Sequence, residues 1–365
     1  MTSYRSSNKR ILFLNANLQA GGAERQMVTV ARLLKRRGHD VSFYCYGQGD
    51  FYAFLLKEDS IPVVWSDSRR CPLKSFFRIR RYVKKGCFDT VVSFMTPSNF
   101  INEVISFGGK TWRVVTGLRF CPDSQDRNVK DRVFNWFRGF SDVVVSNSER
   151  AAAAWKYYHP KSVANFKVIY NYVDLGIIHS HYRPKYDGRL HIIVAASFQF
   201  LKNSVGLAKA LSMMSVEERM RIVVDWYGSG HDSECFNCTK NMIRENGLED
   251  VFILHEATRE IYERMNESDV VMLLSHIEGF PNAICEGMSL GKPIIMTQVS
   301  DYNAMVDETN GFLCDADDPE SIKIAIIQMT LFPIEVLLKM GACSSKKAKH
   351  LFSSDSITSL WEQIC

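Results

Sequence analysis

The sequence predicts an α/β protein with two doubly wound domains, each built around a parallel sheet. Short apolar runs alternate with helical segments along most of the chain, a pattern typical of parallel sheets covered by helices on both faces. This alternation is interrupted at 171–189, where Gly, His, Tyr and charged residues replace it. The length of 365 residues also exceeds the size of about 250–300 residues at which single cores stop growing. We therefore expect two domains joined by a linker.

The first domain is predicted to cover residues 1–175. Its first strand is RILFLNAN (10–17), which a glycine loop follows, and a helical stripe then continues to Gly38. Five further strand-like runs follow, with helical segments between most of them: DVSFYCY, IPVVW, DTVVSF, WRVVT and DVVVSN.

The second domain is predicted to cover residues 176–344, and a C-terminal helix at about 345–365 is expected to pack back on the first domain. The predicted strands of the second domain are LHIIVAAS, RIVVDWYG, VFILHE, DVVMLLS and PIIMT. Ligands of such sheets bind outside the carboxyl ends of the strands, so functional residues are expected in the loops that follow the strands.

Composition favours an ordinary soluble protein that remains in the cytoplasm. Apolar residues make up 46% and charged residues 23% of the chain, and no apolar stretch approaches the ~20 residues of a membrane span. The ten cysteines form no framework, which suits a reducing compartment. Cys235 and Cys238 form a CxxC pair without a second pair at zinc spacing, so coincidence is favoured over a metal or redox site.

Charge is divided unevenly between the two halves. Residues 1–175 hold 28 Lys and Arg against 14 Asp and Glu, whereas the remainder holds 17 against 26. The stretch 69–85, RRCPLKSFFRIRRYVKK, has no acidic residue and places apolar residues between its cations. Such a helix favours an anionic membrane surface, and the protein is expected to be peripheral on the inner face of the cell membrane. The alternative is a solvated helix whose apolar face packs on its own sheet.

Three loops after predicted strands contain residues that suit a phosphorylated ligand. In LQAGGAER, Gly21 and Gly22 allow close approach of the backbone, and the next helix offers free amides to an anion. In SFQFLKN, Lys202 supplies a positive charge. In HIEGFPNAICEG, a helix is predicted from about Pro281 to Leu290 with Pro281 at its first position. Glu278 precedes this helix and Glu286 lies within it, and ionised glutamates accept hydrogen bonds from sugar hydroxyls.

These motifs resemble retaining glycosyltransferases of family 4, which have the two-domain GT-B fold with a central cleft. The stretch SHIEGFPNAICEGMSLGKPII resembles the E-x7-E signature of that family. Blocks elsewhere fall in the family's order: LNANLQAGGAERQMVTVARLLKRRGHDV, VIYNYVD, WYGSG, GLEDVFILHE and VDETNGFLCDADDPESI. Glutamates eight positions apart are common, so the order of the blocks is the stronger argument.

The resemblance implies a role for each candidate residue. Glu286 is expected to bind the ribose hydroxyls of a nucleotide, Glu278 to lie beside the transferred sugar, and Lys202 to neutralise the leaving diphosphate. Gly21 and Gly22 correspond to a loop that closes over the donor from the first domain. The turn that holds the sugar hydroxyls and the diphosphate corresponds to the backbone of Phe280, Pro281, Asn282 and Ala283.

The sequence departs from the family pattern at two places. The family commonly has G-R-x-x-x-x-K where this chain has ASFQFLK, so Ser197 replaces an arginine that contacts the diphosphate. The histidine often found in the first domain is absent from VSFMTPSN, and Arg119 is a possible substitute. In this family the leaving phosphate is usually described as assisting deprotonation, so a side-chain base is not required.

The predicted function is transfer of a sugar from a nucleotide-diphospho-sugar to a glycan or glycolipid acceptor in bacterial surface polysaccharide synthesis. No metal or other cofactor is expected. The alternatives are a catalytically weak relative that binds sugar nucleotides and a GT-B-type sugar-nucleotide epimerase. A nucleic-acid-binding protein is disfavoured, because the basic half contains no RNA- or DNA-binding motif. The sequence does not determine the sugar, the base or the acceptor.

Overall fold

The computed structural model of the chain describes residues 8–19, 21–66, 72–119, 129–160, 165–172 and 187–365. These residues form two compact units, of which one comprises 8–172 with 353–365 and the other 187–352. Most of the predicted linker, 171–189, lies outside the described residues, as does the start of the basic stretch 69–85.

The described part of the first unit is a seven-stranded parallel sheet with helices between its strands. The strands are β1 (Arg10–Asn15), β2 (Asp40–Cys45), β3 (Val63–Trp65), β4 (Thr90–Phe94), β5 (Arg113–Leu118), β6 (Val143–Ser146) and β7 (Phe166–Val168). The helices are α1 (Gly22–Arg36), α2 (Ala53–Glu58), α3 (Pro72–Lys85), α4 (Thr96–Ser106), α5 (Val129–Phe137) and α6 (Glu149–Tyr158).

The described part of the second unit is a six-stranded parallel sheet. Its strands are β8 (Leu190–Ala195), β9 (Ile222–Gly228), β10 (Phe252–Glu256), β11 (Val270–Leu273), β12 (Ile294–Thr297) and β13 (Gly311–Cys314). Its helices are α7 (Ser204–Ser212), α8 (Val216–Arg219), α9 (Glu234–Glu245), α10 (Ile261–Glu267), α11 (Asn282–Ser289), α12 (Tyr302–Met305), α13 (Pro319–Thr330) and α14 (Ile334–Leu351).

Strand order confirms the predicted doubly wound architecture in both units. The first sheet has the order β3-β2-β1-β4-β5-β6-β7 and the second β10-β9-β8-β11-β12-β13. In each sheet the order reverses once, between β1 and β4 and between β8 and β11. Parallel sheets of this kind bind ligands where the order reverses, at the carboxyl ends of the strands.

The predicted strands are present, and two short strands were missed. In β1 one exposed residue precedes five buried ones, as expected for a strand covered on both faces. The missed strands, β7 and β13, have three and four residues and lie at sheet edges. Sequence patterns this short carry little information about strand formation.

The C-terminal region differs from the single helix expected over 345–365. It contains α14 in the second unit and α15 (Ser354–Ile364) in the first. Phe352 and Ser353 separate them, and Ser353 accepts a hydrogen bond from the Ser356 amide, which caps α15. Trp361 of α15 is buried and packs on Phe94, with ring centroids 5.9 Å apart.

Among the described helices, no single one has the length and apolar character needed to cross a membrane. Pro319–Thr330 and Ile334–Ile364 meet that requirement only as a pair bent by 113°.

Candidate active site

Two loops of the second unit meet at the point where its strand order reverses. One loop follows β8 and contains Ser197 and Lys202, and the other follows β11 and contains Glu278 and Pro281. The amide of His276 donates a hydrogen bond to the carbonyl of Leu201 over 2.9 Å, which joins the two loops directly. Parallel pairing of β8 with β11 brings together residues that are far apart in the sequence.

Lys202 and Glu278 form an ion pair across these loops. The Lys202 ammonium lies 2.5 Å from Oε1 of Glu278, and both side chains are largely shielded from solvent. Ser275, at the start of the same loop as Glu278, donates a second hydrogen bond to this oxygen over 2.7 Å. The arrangement places a cation and a carboxylate side by side at the ligand-binding edge of the sheet. A phosphate and a sugar hydroxyl could be bound there together.

Hydroxyl groups near β12 hold the Glu278 loop in place. Thr297 donates to the carbonyl of Ser275 and Ser300 to the carbonyl of Gly279, each over 2.6 Å. Ser275 and Ser300 were not predicted from the sequence. The position of Ser275 directly after a buried strand was the signal that could have identified it.

Lys202 is positioned by a short 3-10 turn, Phe200–Lys202, and by Asn203. Asn203 has φ +66° and caps α7, and its side chain accepts a hydrogen bond from the Gly206 amide over 3.1 Å. A Cβ atom at position 206 would lie 2.2 Å from Oδ1 of Asn203, so glycine is required for this cap. Asn203 also donates to the carbonyl of Ala316 over 2.8 Å. The lysine thus extends from a turn that is fixed on both sides.

The helix predicted from Pro281 begins one residue later. Pro281 is the N-cap residue of α11 with φ −82° and ψ 99°, and Asn282 is the first helical residue. No side chain caps this end of α11, so its first amides, together with the positive end of the helix dipole, suit an anion. The expectation that Pro281 is the first helical residue was wrong by one position. Phe280 and Ala283 are buried next to this turn.

Glu286 lies in the second turn of α11 and is only 3% exposed. The helix reaches this position because Gly287 packs directly on β11. A Cβ atom at position 287 would lie 2.7 Å from a methyl group of Val271. Glu286 is therefore a buried carboxylate on a tightly packed helix. Its burial distinguishes Glu286 from an ordinary glutamate on a solvated helix surface.

Ser197, which replaces the arginine of the family pattern, is half-buried after β8. The backbone of Gly228 at the end of β9 passes close to this segment. A Cβ atom there would lie 2.0 Å from the carbonyl oxygen of Ala196 and 3.2 Å from Cα of Ser197. The start of the Lys202 loop is therefore tightly packed.

Gly21 and Gly22 belong to the first unit, whereas the other predicted site residues all lie in the second. Gly21 is the N-cap residue of α1 and Gly22 its first helical residue. A Cβ atom at Gly21 would lie 2.2 Å from Oε2 of Glu24, so the Glu24 carboxylate folds over the glycine. Burial raises the pKa of Glu24 above its usual range.

Within the described residues, no group of three or more His, Cys, Asp or Glu side chains could hold a metal ion. Cys235 and Cys238 are free thiols.

Family models match both units of the chain. A model described as Glycosyltransferase Family 4 matches residues 20–176, and one described as Glycosyl transferases group 1 matches residues 189–330. Together the two models span the Gly21–Gly22 loop and all the predicted site residues of the second unit.

The chain is also similar to characterised proteins and to solved structures. The chain is 22% identical, over 85% of each sequence, to "GalNAc-alpha-(1->4)-GalNAc-alpha-(1->3)-diNAcBac-PP-undecaprenol alpha-1,4-N-acetyl-D-galactosaminyltransferase" of Campylobacter jejuni. It is 23% identical, over 89% of each sequence, to "UDP-Gal:alpha-D-GlcNAc-diphosphoundecaprenol alpha-1,3-galactosyltransferase" of Escherichia coli. Among solved structures, Anabaena Alr3699/HepE in complex with UDP and glucose has a TM-score of 0.80 at 18% identity, covering 98% of this chain and 99% of that one. The chain therefore belongs to glycosyltransferase family 4 and is a glycosyltransferase with the GT-B fold.

Proposed function

We propose that this glycosyltransferase moves a sugar from a nucleoside-diphosphate sugar to a glycan or glycolipid acceptor of the bacterial cell surface, with retention of anomeric configuration. The observation that carries the proposal is the Lys202–Glu278 pair where the strand order of the second sheet reverses. The bond between the anomeric carbon and the β-phosphate oxygen breaks, and an acceptor hydroxyl oxygen bonds to the same carbon. The proton of that hydroxyl passes to the leaving diphosphate.

Each site residue has a distinct task in this proposal. Lys202 and the positive end of the α11 dipole stabilise the negative charge that develops on the diphosphate. Glu278 lies beside the sugar ring, where positive charge develops. Glu286 binds the ribose hydroxyls. Backbone groups of Phe280, Pro281, Asn282 and Ala283 hold the sugar and the diphosphate.

The comparisons support a nucleotide-sugar donor and a lipid-linked acceptor. The Escherichia coli relative is named for a UDP-galactose donor, and both curated relatives are named for acceptors linked through a diphosphate to undecaprenol. The Anabaena structure contains UDP and glucose. A cytoplasmic location follows from this proposal, because nucleotide sugars are cytoplasmic substrates in such pathways.

Thermal-shift measurements with UDP, GDP, dTDP and their sugars test the proposed donor class. One nucleotide series should raise the melting temperature by several degrees, because a ligand at 100 times its Kd stabilises a protein by about 2.7 kcal/mol. Slow release of free sugar from the selected donor should accompany this binding. Stabilisation without hydrolysis or transfer would favour the catalytically silent alternative. The absence of stabilisation by every nucleotide would contradict the proposal.

We further propose that the enzyme binds anionic membranes through α3. Ile79 and Val83 are buried in the core of the first unit, as the packing alternative for this stretch requires. The opposite side of the helix exposes Arg81, Lys84 and Lys85 to solvent. These cations remain available for contact with anionic lipid, although most of the apolar residues of α3 pack inside the first unit.

Two other arginines of α3 have structural partners. Arg80 donates to carbonyls that directly follow α4, including those of Phe107 and Gly109, and Arg78 donates to Ser66. Aromatic side chains are also exposed on α3, on α5 and after α4, and they could enter the headgroup region. They are Phe77 at 73%, Trp136 at 63% and Phe107 at 61%.

Neutralising Arg81, Lys84 and Lys85 together by alanine should weaken binding to anionic vesicles. Each cation near the surface contributes about 1 kcal/mol, so the triple variant should lose on the order of 3 kcal/mol. Sedimentation with phosphatidylglycerol-containing and purely phosphatidylcholine vesicles, at low and high salt, measures the effect.

The matched control neutralises three exposed cations of the second unit, Lys240, Arg244 and Lys339. This control changes the net charge equally and should retain binding to the anionic vesicles. Equal sedimentation of the parent enzyme with neutral and anionic vesicles at low salt would contradict the membrane proposal.

A further inference from the structure

Two side chains at the carboxyl end of the first sheet, the half-buried Arg119 and the buried Asn147, have buried polar atoms without hydrogen-bond partners among the described residues. Arg119 directly follows β5 and Asn147 directly follows β6. Leu118 pairs with Ser146 in the parallel register, so the two residues are the next neighbours along adjacent strands. Nε and Nη2 of Arg119, and Oδ1 of Asn147, are buried and have no hydrogen-bond partner among the described residues.

The Arg119 guanidinium is held in a defined orientation. It lies over the ring of Phe94, 3.7 Å from the ring centroid. Its Nη1 atom donates to Oδ1 of Asn171 over 3.4 Å. Gly117 provides the space for this stacking, because a Cβ atom there would lie 2.6 Å from the Phe94 ring and 3.0 Å from Nε of Arg119.

The charge of Arg119 has no carboxylate partner in the described part of the chain. Burial lowers the pKa of the Arg119 guanidinium to about 9, and no nearby carboxylate opposes that shift. A buried cation without an anion is costly. Such a cost is common where a group is kept ready for a ligand.

We propose that Arg119 and Asn147 form an acceptor-recognition site for a phosphorylated sugar. The two unpartnered N–H groups of Arg119 bind phosphate oxygens as a fork. Oδ1 of Asn147 accepts a hydrogen bond from a hydroxyl of the attached sugar. Together the two residues provide donors for an oxyanion and an acceptor for an adjacent hydroxyl, which is the pattern of a glycosyl phosphate.

This inference rests on the proposed function, since it assigns the acceptor to the first unit. A neutral glycan would leave the Arg119 charge without an anion. Inorganic phosphate would lack a hydroxyl on an adjacent sugar ring for Asn147. The proposal therefore predicts a preference for sugar phosphates over either component alone.

A phosphorus NMR titration of the full-length enzyme tests the site. The donor site is first saturated with UDP, GDP or dTDP, whichever the donor screen selects. Binding of an added phosphate compound then reports on a site other than the donor site. N-acetylglucosamine 1-phosphate should bind more tightly than inorganic phosphate. Competition by N-acetylglucosamine, which lacks the phosphate, should be at least tenfold weaker, as should competition by glucuronic acid, which carries a carboxylate.

Arg119→Gln should weaken sugar-phosphate binding at least tenfold while nucleotide affinity is retained. The sugar-phosphate affinity of Arg119→Lys should lie between those of the parent and of Arg119→Gln, because lysine keeps the charge but loses the forked pair of N–H groups. Asn147→Ala should remove the preference for N-acetylglucosamine 1-phosphate over inorganic phosphate. Arg113→Gln is the matched control, since Arg113 is exposed at the other end of β5.

Unchanged sugar-phosphate binding by a cooperatively folding Arg119→Gln variant would overturn the proposal. So would tighter binding of glucuronic acid than of the sugar phosphate. If the parent enzyme does not bind any nucleotide, that result counts against the proposed function instead. Failure of the acceptor-site proposal and failure of the proposed function are therefore distinguishable.

Discussion

Replacing Lys202 by alanine is expected to reduce turnover about 10²–10³-fold, the usual cost of removing one group that stabilises developing negative charge. In the described loop after β8, Lys202 is the only side-chain cation available to a diphosphate. Ser197 stands where the family has an arginine. Initial rates at saturating donor, together with titration of the nucleoside diphosphate, measure the effect. A Lys202→Ala variant that binds and transfers like the parent would refute the phosphate assignment.

Lys209→Ala is the matched control for this substitution. Lys209 lies seven residues further along, on α7, and it is exposed. The same change of residue and charge at that position should leave turnover and nucleotide affinity unaltered.

The contact between Lys202 and Glu278 predicts that their substitutions are not additive. Once either partner is removed, the ion pair is lost. The second substitution should therefore reduce turnover less in the single variant than it does in the parent enzyme. Ser197→Arg should partly restore donor binding in Lys202→Ala, because it returns a cation to the same loop. Additive losses in the double variant would indicate that the two side chains act independently.

Glu286 and Glu278 should respond differently to substitution, which is the second large expected effect. Glu286→Gln should weaken the nucleoside diphosphate and the complete donor alike, by tenfold or more, because a hydrogen bond to a charged group contributes about 1.5–3 kcal/mol. Glutamine is preferred to alanine here because Glu286 is buried. The ribose contact stabilises the bound donor and the transition state equally, so its loss should weaken binding without a specific effect on the chemical step.

Glu278→Gln should lower turnover while nucleotide affinity stays equal or becomes tighter. The carboxylate acts mainly where positive charge develops on the sugar, and its removal also frees Lys202 for the diphosphate. Isothermal titration with the nucleoside diphosphate, beside initial rates, separates the two roles. Glu263→Gln, at an exposed position on α10, is the control. Loss of nucleotide binding in Glu278→Gln with full binding in Glu286→Gln would mean that the two assignments are inverted.

Much of the architecture followed from the sequence alone. Alternating apolar runs and helical stripes predicted two parallel sheets, and the apolar runs identified every strand except the short edge strands β7 and β13. Gly38 was expected to stop α1, and it has φ +96° directly after the C-cap residue Arg37. These features are local, because burial on both faces and glycine conformations are recorded in a few consecutive residues.

The candidate site was predicted in part. The spacing of Glu278 and Glu286 around Pro281 could be read directly, as could the start of α11 to within one residue. The support of Glu278 by Ser275 and the positioning of Lys202 by Asn203 were not predicted. Those contacts depend on rotamers and backbone angles that no short pattern specifies.

The sequence by itself determined which segments become strands and helices, whereas the tertiary structure decided which of them are neighbours. Lys202 and Glu278 are 76 positions apart, and they meet because β8 pairs with β11 rather than with another strand. Likewise α15 joins the first unit, where the Thr90 hydroxyl donates to the carbonyl of Cys365. A buried parallel strand has the same apolar pattern whichever strand lies beside it. Strand order is instead selected by packing and by the handedness of the connections over the whole domain.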